Sequence, residues 1–348
     1  MGEIKRKNTR EVKVGNVKIG GSNPISVQSM CDTKTADVDA TVTQIIQLEE
    51  AGCEIQRVAV PDMESAQCVG KIIRQINSPL VADVHYDYRL ALECIRQGID
   101  KVRVNPGNTP ADKLRIVVKE AKDAGIPIRI GINIGSLPKN IVDKFGHSAD
   151  GMVESALNAI KLCEELDFQG IVVALKSSDI FQTIKANKLF SEKSDYPLHL
   201  GVTEAGTLRS GTIKSSIGIA SLLLDGIGDT IRVSLSADPV EEVIAGFSML
   251  RTLGLRKGAV LVSCPTCGRS EIDVVKIANE LEKKIIKIEK PIKVGVMGCF
   301  VNADEAKIAD VGIAGAKDHG ILFRKGELIK KVEKDRLIDE LLNEIGDS

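Results

Sequence analysis

The chain has 348 residues, a formal net charge of −1 and 43% hydrophobic residues. This is the composition of an ordinary globular protein, and its length is sufficient for two domains. The balanced charge gives no reason to expect nucleic acid or an anionic membrane surface as a partner, and no apolar run is long enough to span a bilayer.

The chain contains eight cysteines, and its N-terminal stretch, 1–15, is charged and lacks the apolar core of a signal peptide. We therefore expect a cytoplasmic protein in which the cysteines are reduced thiols or metal ligands. Trp is absent and aromatic residues make up 3% of the chain. Aliphatic side chains must therefore build the core.

Short β-rich runs alternate with amphipathic helical stretches up to about Gly254. The eight runs occupy residues 25–30, 55–60, 80–85, 101–106, 128–133, 170–176, 198–203 and 230–235. Eight strand–helix units in about 250 residues are typical of a (β/α)8 TIM-type barrel. An open doubly wound sheet is the structural alternative, and the count of eight favours the barrel. We predict a barrel over residues 1–254.

A second region follows a short linker at 254–258. It reads as a strand at 259–263, a helix at 271–285, a strand at 292–298, a helix at 303–312, a hairpin at 321–332 and a charged terminal helix. This order predicts a small α+β domain over residues 259–348, and the domain holds three of the eight cysteines.

The barrel strands carry basic and small polar side chains on one face and β-branched side chains on the other. A barrel strand turns one face to the helices, so the polar face must point into the lumen. The residues predicted to face the lumen include Arg57, Asp83, His85, Arg103, Asn105, Arg129, Asn133, Lys176, His199 and Arg232.

Four arginines and a lysine cannot stay buried together unpaired, and Asp83 cannot neutralise them all. An anion in the mouth of the barrel solves this problem, and the planar guanidinium fork matches phosphate oxygens. The lumen therefore predicts a phosphorylated or diphosphorylated ligand. The alternative is that the arginines pair with carboxylates on neighbouring loops, and four arginines in the same phase make that alternative weaker.

Cys264 and Cys267 form a Cys-x-x-Cys motif, and Cys299 lies 32 residues further on. Both sites follow an apolar strand and precede a helix, where backbone N–H groups can stabilise anionic sulfur. A structural zinc needs four ligands, and a redox disulfide would not need the third cysteine. A [4Fe–4S] cluster with one unusual ligand such as Glu305 fits best, with zinc and redox thiols as alternatives. The other five cysteines read as small buried hydrophobes: Cys31, Cys53, Cys68, Cys94 and Cys163.

Together these residues resemble the 4-hydroxy-3-methylbut-2-enyl diphosphate synthase family of the non-mevalonate isoprenoid route, in its compact bacterial two-domain form. The resemblance covers nearly the whole chain. It is carried by SCPTCGR (263–269), VQSMCDTKTADVDAT (27–41), RVAVPD (57–62), ADVHYDYRLA (82–91), KVRVNPGN (101–108), RIGINIGSL (129–137), HLGVTEAG (199–206), LLLDGIGDTIRVSLS (222–236) and EAKIADVGIAG (305–315).

The resemblance implies reductive ring opening and dehydroxylation of 2-C-methyl-D-erythritol 2,4-cyclodiphosphate, with ferredoxin or flavodoxin as electron donor. It implies a [4Fe–4S] cluster on Cys264, Cys267, Cys299 and Glu305, and it makes Glu204 the acid/base candidate. The residues that match the family's diphosphate-binding positions are Arg57, Arg103, Arg129, Lys176 and Arg232, with Asn105 and Asn133 nearby.

The segment Asn302–Glu305 is one residue shorter than the family pattern. Counting back from the continuous block 305–315 keeps Glu305 as the ligand, with Asp304 as the substitute. The five-residue linker leaves from the rim opposite the strand carboxyl ends and reaches about 17 Å. The resemblance therefore implies a head-to-tail homodimer in which each cluster domain caps the partner's barrel.

Two other functions remain open from the residues alone. One is a zinc-stabilised barrel that binds a phosphorylated ligand without redox chemistry. The other is a non-redox transferase or synthase that acts on a phosphorylated or pterin-like substrate.

Overall fold

The computed structural model describes residues 4–299 and 307–346. It divides into two compact units, Met1–Met249 and Leu250–Ser348. In the described ranges, no helix is long and apolar enough to cross a membrane.

The first unit is a barrel of parallel strands surrounded by helices. Its strands are β1 (Val12–Val14), β2 (Val17–Ile19), β3 (Ser26–Val27), β4 (Gln56–Val60), β5 (Leu80–Val84), β6 (Lys101–Val104), β7 (Ile128–Asn133), β8 (Ile171–Lys176), β9 (His199–Leu200) and β10 (Thr230–Ile231). Its helices are α1 (Val38–Glu50), α2 (Met63–Ile73), α3 (Tyr88–Arg96), α4 (Ala111–Ala124), α5 (Lys139–Phe145), α6 (Ala149–Glu164), α7 (Ile180–Lys193), α8 (Leu208–Leu224) and α9 (Pro239–Thr252), whose last turn crosses into the second unit.

Strands β3 to β10 close into a ring. One sheet has the order β4-β5-β6-β7-β8 and a second the order β3-β10-β9. Parallel bridges from Gln28 to Ile55 and from Val173 to Leu198 join the two sheets at both edges. Each of the eight predicted runs contains one of these strands, and the structure confirms the barrel.

Local sequence explains where the helices begin. Asp37, Asp62, Asp87 and Asp179 each accept a hydrogen bond from a backbone N–H in the first turn of α1, α2, α3 and α7. An aspartate at this position satisfies donors that the helix itself leaves unpaired. The strand-to-helix turns at the carboxyl end of the barrel are thereby fixed, and several lumen side chains lie close to them.

An antiparallel hairpin of β1 and β2, which the sequence patterns did not predict, closes the other end of the barrel. Val12, Val14 and Ile19 of the hairpin form an apolar cluster with Ile55, Val81 and Val172 of the barrel strands. Gly15 turns the hairpin at φ +54°, and an added Cβ would lie 2.8 Å from the Asp100 carboxylate. The lumen therefore has an apolar floor.

The second unit is a five-stranded sheet with helices on one face. It contains β11 (Val260–Ser263), α10 (Val274–Ile285), β12 (Lys293–Met297), β13 (Val311–Gly315), β14 (Gly320–Arg324), β15 (Glu327–Val332) and α11 (Leu337–Gly346), with strand order β11-β12-β13-β14-β15. The first three strands are parallel and the last two pairings are antiparallel. Apolar side chains of α10 and α11 pack on the sheet in one core, and the architecture is the α+β domain that was predicted.

One element of this unit was predicted wrongly. The helix expected at 303–312 does not extend through its last residues, because Val311–Gly315 is strand β13. All five residues of this segment are buried, and it lies at the centre of the sheet between β12 and β14. Residues 300–306, which carry the rest of that prediction, lie outside the described residues.

Candidate active site

The lumen of the barrel gathers the basic side chains that the strand alternation predicted. Arg57, Arg103, Arg129 and Lys176 are each at most 9% exposed, and Arg232 keeps 16% of its side chain exposed. Strand register aligns them, because Arg103 pairs with both Asp83 and Arg129 across neighbouring strands. Five basic side chains, four on strands and Arg232 directly after β10, thus face one interior.

Asp83 is the carboxylate that joins two of these cations. Its Oδ2 accepts a hydrogen bond from Arg57 Nη2 at 2.9 Å, and its Oδ1 accepts one from Arg103 Nη1 at 3.0 Å. Burial alone would raise the pKa of Asp83, but the neighbouring guanidinium charges and the hydrogen bond with His85 hold that pKa well below its ordinary value. Asp83 therefore remains ionised and fixes the two arginines.

His85 lies at the half-exposed edge of this cluster. Its Nδ1 accepts a hydrogen bond from Asn108 Nδ2 at 2.8 Å, and its Nε2 lies against Arg103 and 3.5 Å from Asp83 Oδ1. Asn105 lies two residues after Arg103, just beyond the end of β6. It is 2% exposed, and its Nδ2 donates to Ser136 Oγ at 2.9 Å. The two side chains place polar groups beside the arginines.

Arg129 and Lys176 have no carboxylate partner in the part of the chain that the structure describes. The Nε and Nη1 atoms of Arg129 are buried without a hydrogen-bond partner. Burial lowers the pKa of Arg129 and of Lys176 well below their ordinary values, and the neighbouring cations lower both further. An anion placed between them would satisfy the buried donors and the unbalanced charge together.

Arg232 has a partner that sequence reasoning missed. Glu242, on α9, is 2% exposed and accepts hydrogen bonds from Arg232 Nε and Nη2, both at 3.0 Å. Ser29 Oγ and the Leu235 backbone N–H also donate to this carboxylate. In the sequence Glu242 reads only as an acidic residue in the first turn of a helix, which is a common surface position.

Two glycines on the lumen face make room for the cations. A Cβ at Gly131 would lie 2.6 Å from Arg103 Nε, and a Cβ at Gly201 would lie 2.6 Å from Lys176 Nζ. Each glycine lies on a strand that neighbours the one carrying the cation, so the cationic chain crosses the space that a side chain would fill. This is a packing reason for glycine at both positions.

The remaining predicted site residues differ in how deeply they are buried. His199 is fully buried, its Nδ1 lies 3.5 Å from Thr230 Oγ1, and burial lowers its pKa well below the ordinary value. Asn133 is half-buried at the end of β7. Glu204 is exposed, and its backbone adopts φ +52° in the turn after β9. A non-glycine residue with positive φ is uncommon and marks a functional position often enough to be informative.

The loop that carries Glu204 is held from both sides. Thr203 N donates to Ser177 O at 3.3 Å, and Ser236 N donates to Gly206 O at 2.9 Å. These bonds tie the loop to the segments that follow β8 and β10. Glu204 is therefore at the carboxyl rim, where barrel enzymes carry their catalytic groups.

Sequence reasoning also missed Lys101. It lies two residues before Arg103 and shares its lumen-facing phase, which was the available signal. Its side chain is fully buried, and its Nζ has no hydrogen-bond partner in the described ranges. Lys101 thus adds a sixth basic side chain below the arginines.

In the second unit, strand pairing brings Cys264 and Cys299 to neighbouring strand ends. Cys264 follows β11 and Cys299 follows β12, and the two strands are parallel and paired. The Sγ of Cys264 accepts a hydrogen bond from Gly298 N at 3.0 Å, which is the kind of donor that stabilises a thiolate. Cys267 is exposed in the following turn.

The donor chemistry of this region suits iron–sulfur ligation, because three free thiols follow two adjacent parallel strands. Across residues 4–299 and 307–346, no three His, Cys, Asp or Glu side chains lie close enough together to hold a metal ion. Glu305, with its alternative Asp304, lies outside the described residues. Of the five other cysteines, four are buried and Cys68 is half-buried.

Comparison with known families covers both units. Residues 9–247 match the family described as the GcpE TIM-barrel domain, and residues 260–347 match the GcpE protein C-terminal domain. The chain is 56% identical over 350 residues to a protein of Geobacillus kaustophilus named 4-hydroxy-3-methylbut-2-en-1-yl diphosphate synthase (flavodoxin), covering 99% of this chain and 94% of that one. It is 57% identical to a protein of the same name from Caldanaerobacter subterraneus, covering 98% and 97%.

Two solved structures of dihydropteroate synthases each match 70% of this chain. Dihydropteroate synthase of Stenotrophomonas maltophilia superposes with a TM-score of 0.52 at 11% identity, covering 70% of this chain and 98% of that chain. The Yersinia pestis enzyme gives a TM-score of 0.50 at 13% identity, covering 70% and 100%. At this level of identity the likeness concerns the fold and carries no argument about substrate.

Proposed function

Because this chain belongs to the GcpE family of 4-hydroxy-3-methylbut-2-en-1-yl diphosphate synthases, we propose that it converts 2-C-methyl-D-erythritol 2,4-cyclodiphosphate to 4-hydroxy-3-methylbut-2-enyl diphosphate. The reaction consumes two electrons and two protons, opens the ring by breaking a C–O bond to the diphosphate and releases one hydroxyl as water. It belongs to the non-mevalonate isoprenoid pathway.

The observation that carries this proposal is the unbalanced charge in the lumen. Five cationic side chains lie there, and the carboxylates bonded to them within the described residues are those of Asp83 and Glu242. Five positive charges against two negative ones leave three to be balanced. A cyclic diphosphate carries one negative charge on each phosphorus, so it offsets two of these three charges, and its geometry suits bidentate guanidinium contacts.

We propose two roles for the basic residues of the lumen. Arg129 and Lys176, which lack carboxylate partners in the described chain, would take the diphosphate oxygens directly. Arg57, Arg103 and Arg232 are each held by a carboxylate and would supply oriented donors without reorganisation. Negative charge grows on the diphosphate oxygen as the ring C–O bond breaks, and fixed cations around it lower the barrier to that step.

We assign the [4Fe–4S] cluster to the second unit, with Cys264, Cys267, Cys299 and Glu305 as ligands. The adjacent strand ends that hold two of the thiols, and the backbone donor to Cys264 Sγ, support this assignment. Bound there, the cluster supplies single electrons and a Lewis-acidic iron for removal of the hydroxyl.

We assign the acid/base role to Glu204. It lies at the carboxyl rim, its side chain is exposed, and the loop that carries it is tied to both neighbouring strand ends. We expect Glu204→Gln to lower kcat by two orders of magnitude or more, while the dissociation constant of the cyclic diphosphate changes less than threefold. A parallel loss of binding would show that Glu204 positions the substrate and does not transfer a proton.

We further propose a head-to-tail homodimer and flavodoxin as electron donor. Helix α9 ends at Thr252 and β11 begins at Val260, so the connecting segment spans at most about 25 Å. The relatives that match are named for flavodoxin, which favours it over ferredoxin. Eight free cysteines suit a reducing compartment such as the cytoplasm.

Two measurements test the dimer and the donor. Mixed dimers of a Cys264→Ser subunit and an Arg103→Ala subunit should recover part of the activity that each variant lacks alone. Activity that stays at the level of the separate variants would contradict the shared arrangement. Reduced flavodoxin should support faster turnover than reduced ferredoxin, and the reverse order would contradict the choice of donor.

Anaerobic analysis of iron and acid-labile sulfide, with an activity assay on the cyclic diphosphate, tests the proposed function. We expect four irons per chain, fewer than one in Cys264→Ala, and full content in the control Cys94→Ala, whose cysteine is buried in the barrel. Arg103→Met should abolish turnover, whereas Arg115→Met, which breaks an exposed ion pair, should not. A colourless protein that contains zinc instead of iron would refute the proposed function.

A further inference from the structure

The floor of the lumen holds a lysine that the proposed reaction does not use. Lys101 is the first residue of β6, and Val81, its neighbour in the sheet, belongs to the apolar cluster that the hairpin forms with the barrel. The side chain is fully buried, and within the described residues its Nζ has no hydrogen-bond partner. An ammonium group there has no hydrogen-bond acceptor among the described residues to stabilise it.

The charged groups around Lys101 come from several strands. Arg129 of β7 and Arg57 of β4 are close enough for their charges to act on it, and Asp100, the preceding residue, opposes them. The Asp100 carboxylate accepts a hydrogen bond from Leu80 N at 2.8 Å. Burial, followed by the two arginines, lowers the pKa of Lys101 to about 7.

Three further titratable groups complete these surroundings. His199 of β9 is influenced by the charge of Lys101, and its Nε2 is buried without a hydrogen-bond partner. Lys176 of β8 is one of the cations that act on His199, and Asp83 of β5 is engaged by two arginines. In the absence of a ligand, a protonated Lys101 therefore adds positive charge to a region that already has an excess of it.

We propose that Lys101 takes up a proton from the solvent when a diphosphate enters the barrel, so that substrate binding is coupled to proton uptake. The inference rests on the proposed function, because it requires a diphosphate in the lumen. The anion offsets much of the positive charge around Lys101, and this favours protonation of the lysine behind Arg129. Lys101 is buried at the floor of the lumen, so we assign it a positioning role that acts through Arg129 and Arg57.

Isothermal titration calorimetry of the holoenzyme in two buffers of different ionisation enthalpy measures this coupling. One probe is the cyclic diphosphate, whose phosphates gain no proton near neutral pH. The other is inorganic pyrophosphate, which itself titrates in this range, so its proton uptake is compared only as the difference between the native protein and Lys101→Met. At pH 8 a lysine with a pKa of about 7 is about nine-tenths neutral. We expect the native protein to take up close to one proton more than Lys101→Met at pH 8, and nearly the same number at pH 6.

Two variants control the experiment. Lys119→Met removes an exposed lysine from α4, the helix that follows the same strand, and should leave proton uptake unchanged. Lys101→Arg keeps a permanent charge at the floor and should lose the uptake as Lys101→Met does, while it retains affinity at high pH. In the native protein, affinity for the cyclic diphosphate should weaken by close to tenfold for each pH unit between 8 and 9, and this slope should be shallower in Lys101→Arg.

The outcomes separate the inference from the proposed function. Binding of either diphosphate without proton uptake by the native protein at pH 8 would refute the inference and leave the function standing. Equal uptake by the native protein and Lys101→Arg would refute the assignment to Lys101. If neither diphosphate binds, the proposed function fails and the inference fails with it. If Lys101→Met does not fold, Lys101→Arg and the pH series on the native protein decide the question.

Discussion

Replacement of Asp83 by asparagine tests the charge balance of the lumen directly. The carboxylate neutralises Arg57 and Arg103 at 2.9 Å and 3.0 Å, and the three side chains are only 7%, 11% and 4% exposed. Removal of one partner from a buried ion pair costs about 3–5 kcal/mol, because the remaining charge is left uncompensated. This is a large share of the 5–15 kcal/mol that typically stabilises a domain.

Urea unfolding followed by tyrosine fluorescence measures this loss in the barrel alone. The chain has no Trp, and its three tyrosines, Tyr86, Tyr88 and Tyr196, all belong to the first unit. The matched control is Asp195→Asn, because Asp195 accepts a hydrogen bond from Arg10 at 2.8 Å while 57% of its side chain is exposed. An exposed pair contributes about 0–1 kcal/mol.

Pyrophosphate should then restore stability to the Asp83 variant more than to the native protein, since the variant has one more uncompensated cation for it to bind. Ligand at about 100 times its dissociation constant returns about 2.7 kcal/mol. Equal losses in the Asp83 and Asp195 variants, or equal stabilisation of the variant and native proteins by pyrophosphate, would refute the reasoning.

Three further predictions follow from the same cavity. Burial lowers the pKa of Lys101 from 10.5 to about 7. Between these pH values the unfolded chain binds more protons than the folded chain, so the folded state becomes more stable as pH rises. We expect the ligand-free barrel to gain up to about 5 kcal/mol of stability between pH 6 and pH 10.5. In Lys101→Met, the free energy of unfolding measured by tyrosine fluorescence should lose the part of its rise with pH that is due to this lysine. An unchanged slope contradicts the depressed pKa. Gly201→Ala places a methyl group 2.6 Å from Lys176 Nζ and should weaken pyrophosphate binding at least tenfold by calorimetry, whereas Gly135→Ala meets open space and should not; equal effects of the two would refute the packing role. Glu242→Gln frees the guanidinium that it holds at 3.0 Å, and it should raise KM for the cyclic diphosphate more than it lowers kcat, a split that steady-state kinetics measures; a loss confined to kcat would contradict a role in binding.

The lumen could be predicted from the sequence because strand alternation is strict. Once eight strands were placed, the phase of Arg57 fixed which residues of its strand face inward, and the same held for Arg103 and Arg129. The partners of these cations depend on tertiary structure. Glu242 reaches Arg232 from a helix, and nothing in its local sequence distinguishes it from a surface carboxylate.

Other features escaped because their local signals were weak or misleading. The floor hairpin has strands of three residues each, which are too short for a period to be recognised. The segment 303–312 read as a helix, and this masked the start of β13, whose position at the centre of the sheet is a tertiary effect. Lys101 had the correct phase, but its charge made a fully buried position improbable on composition alone.

The hairpin that seals the floor makes the barrel a well with one opening. A ligand, the water it displaces and the product must all pass the same rim. The basic side chains of the wall run from Arg232 and His85, which are partly exposed, down to Lys101, which is fully buried. A cover over this rim would therefore control the entry of the substrate and the exit of the product together. A reaction intermediate formed under that cover could not escape through the end of the barrel that the hairpin closes.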